Sequence, residues 1–148
     1  MFRGVAQLTL DSKGRLAVPA KFRDALAARC SGHLVITADS DRCLLIYPQP
    51  DWEPIEQKLM ALSSFNAQIR ELQRRLVGYA EDVVMDATGR ILVPPALRQF
   101  AQLERAVMLV GQGNKFELWN KDNWEGRMEQ GGGFGPGGLP PELEGFSL

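Results

Sequence analysis

The segment Val5-Ala6-Gln7-Leu8-Thr9-Leu10 alternates from Ala6 onward, with Ala6, Leu8 and Leu10 on one face and Gln7 and Thr9 on the other. That is the period of a half-buried strand. A polar turn, Asp11-Ser12-Lys13-Gly14-Arg15, leads into Leu16-Ala17-Val18, which alternates again and stops at Pro19. Proline keeps the residue before it extended, so this second strand should run up to Val18. From Ala20 to about Arg29 the period changes. Phe22, Ala25 and Leu26 at i, i+3 and i+4 predict a short helix, with Lys21 and Asp24 turned away from the core. Leu34-Val35-Ile36-Thr37 and Cys43-Leu44-Leu45-Ile46-Tyr47 predict two more strands, joined by a polar hairpin around Asp39-Ser40-Asp41.

The same order then returns. Asp86-Ala87-Thr88-Gly89-Arg90 repeats the first turn 75 positions later, Val18-Pro19 is answered by Val93-Pro94, and Arg23 by Arg98. Val83–Met85 and Ile91–Val93 flank the second turn, a short helix runs through Leu97 and Phe100, and Ala106–Val110 and Phe116–Trp119 form a second hairpin. Each unit closes at a tryptophan, Trp52 or Trp124. Between the units the pattern is helical. Ile55, Leu59 and Leu62 follow Pro54, which suits a first helical turn; Ser63-Ser64 breaks and recaps the chain; Phe65, Ile69, Leu72 and Leu76 continue. Arg70 and Arg74 share a polar face, and Glu71 is spaced to pair with Arg75. A last short helix should open at Asp122, with Glu125 three residues on. The predicted organisation is a first unit at 1–53, a helical connector at 54–80, a second unit at 81–128 and a tail at 129–148. Seven of the fifteen glycines lie in the last 18 residues, so that tail should not fold alone; Phe134, Leu139, Leu143 and Phe146 are its apolar points.

At 148 residues and 45% hydrophobic content the chain can bury one core, shared by both units. Its net charge of −1 argues against indiscriminate coating of nucleic acid, but the charge is segregated. Residues 1–29 carry Arg3, Lys13, Arg15, Lys21, Arg23 and Arg29 against Asp11 and Asp24, and the remainder is acidic. A basic end of this kind is a candidate footprint for phosphate. Cys30 and Cys43 stand apart from any CxxC or histidine cluster, which fits free thiols in a reducing compartment and gives no metal site. Without a signal-type or membrane-length apolar run, the expectation is a soluble cytoplasmic protein with no membrane partner. His33 is the only histidine and sits before a strand; with no P-loop and no nucleophile–base spacing, the reading is that the chain is not an enzyme and binds no cofactor or small-molecule ligand.

The chemistry lies in the turns. An aspartate opening a turn accepts backbone N–H bonds from residues just ahead of it, and glycine supplies positive φ. Arg15 and Arg90 follow the glycines, within reach of Asp11 and Asp86. One reading is a hairpin stapled by an ion pair, which in an exposed setting stabilises little. The other is an arginine held in a fixed pose so that its remaining donors address a phosphate or a guanine edge. The turn alone leaves both open.

Met1-Phe2-Arg3-Gly4, DSKGRLAVPAKFRDAL and DATGRILVPPALRQF together resemble the MraZ family of bacterial transcriptional regulators, over roughly residues 1 to 128. The resemblance implies a mainly β (α+β) fold with short helices: two SpoVT/AbrB-like units forming a pseudo-twofold, swapped-hairpin, double-psi-type barrel from an internal duplication. It implies a ring-shaped homo-oligomer on repeated boxes of double-stranded promoter DNA, repressing its own division and cell-wall operon and associated with the nucleoid. The family's functional Asp and Arg fall on Asp11, Arg15, Asp86 and Arg90. Lys13 is replaced by Thr88 in the second turn and Lys21 by Ala96, and Glu81 and Asp82 make its approach acidic. The first unit is therefore expected to dominate DNA contact through Lys13 and Arg15, with Arg3, Lys21 and Arg23 nearby, while Arg90 serves subunit contacts or a second, weaker DNA contact. The rival readings are an architectural or adaptor oligomer acting through protein–protein contacts, and an antitoxin-like AbrB protein, which typically carries one motif per chain.

Overall fold

A computed structural model describes residues 1–130 and 140–147. The first repeat supplies β1 (Phe2–Thr9), β2 (Arg15–Ala17), α1 (Ala20–Cys30), β3 (His33–Ala38), β4 (Leu44–Pro48) and α2 (Gln49–Met60), followed by α3 (Ala67–Leu76). The second supplies β5 (Glu81–Val84), β6 (Arg90–Leu92), α4 (Pro95–Phe100), β7 (Ala106–Gly113), β8 (Phe116–Asn120) and α5 (Lys121–Glu129). A single 3-10 turn covers Pro141–Leu143; the tail positions Phe134 and Leu139 lie outside the described residues.

The repeats are interlocked rather than adjacent. The six-stranded sheet has the order β1-β7-β8-β4-β3-β5, every neighbour antiparallel. Exchanging β1 with β5, β3 with β7 and β4 with β8 returns the same order, so a pseudo-twofold axis passes between β8 and β4. β1 pairs along its whole length with β7 of the other repeat, and β5 pairs with β3. The short strands after the two turns form a separate ladder, with Leu16 opposite Ile91. This is the mainly β, swapped-hairpin architecture with short helices that the duplication implies. Its hydrogen bonds fall into a six-strand and a two-strand sheet, touching at the Leu10–Leu16 bridge, and no closed barrel forms among the described residues.

Alternation decides which side of each strand is buried. Leu16 and Ile91 point inward at 0% and 2% exposure, joining Leu10, Val18, Leu26, Ile36, Val93 and Leu118 in a core fed by both repeats. On the other face of the sheet Val35, Leu45 and Tyr47 are covered by Trp52 and Leu59 of α2 and partly by α3, while Trp124 of α5 packs on Trp119. No helix among the described residues is long and apolar enough to cross a membrane.

Several local expectations shift. β1 starts at Phe2, ahead of the visible alternation, because Gly4 at φ 106° faces Gly111; a Cβ on Gly111 would lie 2.5 Å from the Arg3 nitrogen. α2 begins at Gln49, across the expected 53/54 boundary, with Pro50 in its first turn and Pro54 inside the helix. The earlier start buries Trp52 against Tyr47, which offsets the hydrogen bond Pro54 lacks. Asn66 caps α3 by accepting from Gln68 and Ile69, and Asn120 caps α5 by accepting from Asn123, in place of Ser63-Ser64 and Asp122. Glu71 pairs with Arg74 one residue earlier than expected, and the Nε of Arg75 is buried without a partner among the described residues.

Candidate nucleic-acid interface

In the first turn Asp11 accepts from the Gly14 N–H at its carbonyl (2.9 Å). Its carboxylate Oδ1 accepts from the Lys13 and Arg15 backbone N–H groups at 2.9 and 2.8 Å, and Oδ2 from Arg15 Nε at 2.8 Å. The second turn repeats each contact. Asp86 Oδ1 accepts from Thr88 and Arg90 N–H, both at 2.9 Å, and Oδ2 from Arg90 Nε at 3.1 Å. Gly14 and Gly89 sit at φ 84° and 81°, where any other residue is strained. Each aspartate thus closes a turn and grips one arginine by Nε alone. The terminal guanidinium nitrogens of Arg15 and Arg90 have no partner among the described residues.

Electrostatics follow the same pattern. The Arg15 backbone N–H holds the Asp11 carboxyl below its ordinary range, against a desolvation that raises it. Asp86 is held down to about 2, chiefly by the Arg90 backbone N–H and then by the Thr88 hydroxyl, which donates to Oδ1 at 2.8 Å. The side chains of both pairs are 33–40% exposed, so their Coulombic part is screened and adds little stability; the carboxylates fix geometry.

The β2–β6 ladder brings the two turns together. Leu16 and Ile91 face the core, so Arg15 and Ala17, paired with Leu92 and Arg90, face solvent on the same side. Arg15 and Arg90 are diagonal neighbours, roughly 7–8 Å apart between Cα atoms by ladder geometry. Leu92 stands exposed between them.

The other expected site residues distribute differently. Lys13 is exposed at the first tip, its ammonium without a partner among the described residues. Arg3 lies near the start of β1 and Lys21 beside it, its ammonium near Gly4 and 4.8 Å from the Phe22 ring centre. At about 3.3 Å per residue, that end of the strand is roughly 20 Å from the turn. Arg23, grouped by sequence with the first tip, instead donates from Nε to the Val18 carbonyl at 2.7 Å and lays its guanidinium over Gly89 of the second turn. Arg98 takes the matching place over Gly14, donating to the Val93 carbonyl at 3.0 Å; the echo of Arg23 by Arg98 was the visible signal for it. Glu81 and Asp82 are exposed on β5.

Elsewhere, Asp39, Cys43 and Glu117 bring ligand-type atoms within 4.8 Å of one another. Burial, reinforced by the nearby carboxylates, pushes the Cys43 thiol well up, and its sulfur lies 3.8 Å from Asp39 Oδ2. Within the group the Cys43 thiol donates to Asp39 Oδ2, and Glu117 accepts from the Trp119 indole N–H at 2.9 Å.

Two interlocked repeats, each presenting an aspartate-locked arginine from one shared ladder, define a duplicated swapped-hairpin protein. The family model described as MraZ protein, antitoxin-like, matches it twice, over residues 1–75 and 76–131. Proteins named Transcriptional regulator MraZ from Nitrosospira multiformis, Nitrosomonas eutropha and Nitrosomonas europaea are 63%, 60% and 59% identical to it, with 100% of both chains covered in each case. The chain belongs to the MraZ family, a family of transcriptional regulators rather than enzymes.

Proposed function

We propose that this chain is a sequence-specific DNA-binding regulator that sits as a ring-shaped homo-oligomer on repeated boxes in the promoter of its own division and cell-wall operon and represses it, in the cytoplasm and on the nucleoid. The observation that carries the reading is the placement of Arg15 and Arg90, each locked by its aspartate through Nε and with its terminal nitrogens unpartnered, on one solvent face of the β2–β6 ladder. A guanidinium held this way keeps planar donors ready for a phosphate or a guanine edge and has little rotamer freedom left to lose. Asp11 and Asp86 act by positioning. Lys13 and Arg15 make the first tip the stronger contact, because Thr88, at the place of Lys13, spends its hydroxyl inside the turn on Asp86. Arg90 adds a second contact from the same patch.

The test is fluorescence anisotropy with a duplex from directly upstream of the gene, against a shuffled duplex of equal length, titrated across salt. The native duplex should bind more tightly, and Arg15→Ala should lower the magnitude of the log–log salt slope by about 0.9 per engaged subunit. Arg90→Ala should cost less affinity than Arg15→Ala, with assembly checked by light scattering. Equal, weak binding to both duplexes that neither variant changes would overturn the reading and leave the turns to protein–protein contacts.

A further inference from the structure

We infer that each turn is clamped by the other repeat, so that Arg98 is the positioning residue of the first tip and Arg23 that of the second. Three observations converge. The Val93 N–H donates to the Gly14 carbonyl at 2.9 Å, and the Val18 N–H to the Gly89 carbonyl at 2.8 Å, so each turn's glycine peptide is tied to the opposite repeat. Arg98 Nε donates to Val93 and Arg23 Nε to Val18, the same residues that make those ties. Each guanidinium then lies flat on the glycine it spans to: a Cβ on Gly14 would fall 2.7 Å from the Arg98 Cζ, and one on Gly89 closer still to Arg23.

The arrangement gives the glycines a second purpose beyond positive φ. Only a residue without a side chain admits an arginine plane against the turn backbone. That plane backs the peptide from which the Lys13 and Arg15 amides reach the Asp11 carboxylate. Arg98 also lines the open groove beside Asp11 and Ser12, which keeps its remaining donors at the first tip. The second repeat therefore sets the pose of the first repeat's contact residues, and a change in one repeat is read in the other. The ligand side of this inference rests on the DNA-binding reading above; the clamp itself does not.

Hydrogen–deuterium exchange of the full chain tests the clamp without DNA. Arg98→Gln should speed exchange of the amides at 13–15 roughly fivefold to tenfold, the scale set by one net hydrogen bond, and leave 88–90 near the parent rate; Arg23→Gln should do the converse. Acceleration confined to the mutated residue's own repeat, or equal in both turns, would overturn the inference. A double-mutant cycle on the upstream duplex supplies the second arm. Arg98→Gln should be non-additive with Arg15→Ala and additive with Arg90→Ala, and Arg98→Lys should fail to restore affinity because it lacks the planar Nε–H. Additivity with Arg15, or full rescue by lysine, would reduce Arg98 to a general charge and overturn its positioning role. If exchange shows the crossed pattern while the parent chain ignores the duplex, the DNA reading fails and the clamp stands.

Discussion

Gly14→Ala separates two penalties that the structure assigns to one position. The first is backbone strain: Gly14 sits at φ 84°, and a Cβ there costs about 1–2 kcal/mol. The second is displacement of Arg98, whose Cζ lies 2.7 Å from the built Cβ and whose Nε would leave the Val93 carbonyl, worth about 1 kcal/mol for the lost hydrogen bond. Gly113 isolates the first penalty. It has φ 77°, and among the described residues a Cβ there meets only the Met1 sulfur at 4.0 Å, ordinary contact. Gly14→Ala should therefore destabilise by about 2–3 kcal/mol and Gly113→Ala by about 1–2 kcal/mol. In thermal melts at equal protein concentration each kcal/mol moves the midpoint by roughly 3–5 °C for a chain of this size. The extra shift at Gly14 should vanish in an Arg98→Ala background, where nothing remains to displace. Equal shifts for the two glycines, or a Gly14 excess that persists without Arg98, would refute the account.

Two further outcomes follow from the core and from the acidic groups. Leu16→Ala, at a position 0% exposed in the ladder both repeats share, should cost about 2–5 kcal/mol in urea unfolding; a loss below about 1 kcal/mol would mean the ladder is not core. Because the folded Asp86 carboxyl titrates below its ordinary 3.8, the order it confers is present above that value and fades only as pH falls through about 2. Carboxyl NMR of labelled aspartate should show this, with Thr88→Val moving the titration of Asp86 upward; an Asp86 midpoint already near 3.8 in the parent would contradict the hydrogen-bond set.

How far the sequence reached depended on whether a feature was local. The two Asp-x-x-Gly-Arg turns, the proline stops after Val18 and Val93 and the inward set Leu8, Leu10 and Leu16 were all legible, because turn chemistry and a period of two are written in neighbouring residues. Which strand lies beside which was not. Periodicity assigns a residue to a face and says nothing of the partner across the ladder, so the pairing of β1 with β7 and β5 with β3 needed the structure. For the same reason Arg23 was assignable to the helix after its own turn but not to Gly89, 66 positions away. Helix starts shifted where burial outweighed a local cue: Trp52 drew α2 back to Gln49 past the signal at Pro54. The cap of α5 moved to Asn120, whose side chain is also committed to the Gln102 carbonyl at 2.6 Å.

On the DNA-binding reading proposed above, a single patch would be a weak ligand, and that weakness argues for assembly. Lys13, Arg15 and Arg90 are the three cations that the DNA-binding reading assigns to direct contact on or beside the ladder face, Arg23 and Arg98 serving the turns as clamps. At about 0.9 counterions per phosphate, three contacts give a log–log salt slope of roughly −2.7 for one subunit. On a chain of net charge −1 that slope corresponds to modest affinity at physiological salt. Copies held in a ring over repeated boxes add their contacts through effective concentration, with no new chemistry in any subunit. In the titration proposed above, the slope divided by that single-subunit value therefore counts the subunits on the DNA. A slope several times the single-subunit figure, collapsing toward it when the assembly is dissociated, would fit a ring reading repeated sites. A slope near −2.7 with undiminished affinity in the dissociated chain would mean one patch suffices, and the repeated boxes would need another explanation.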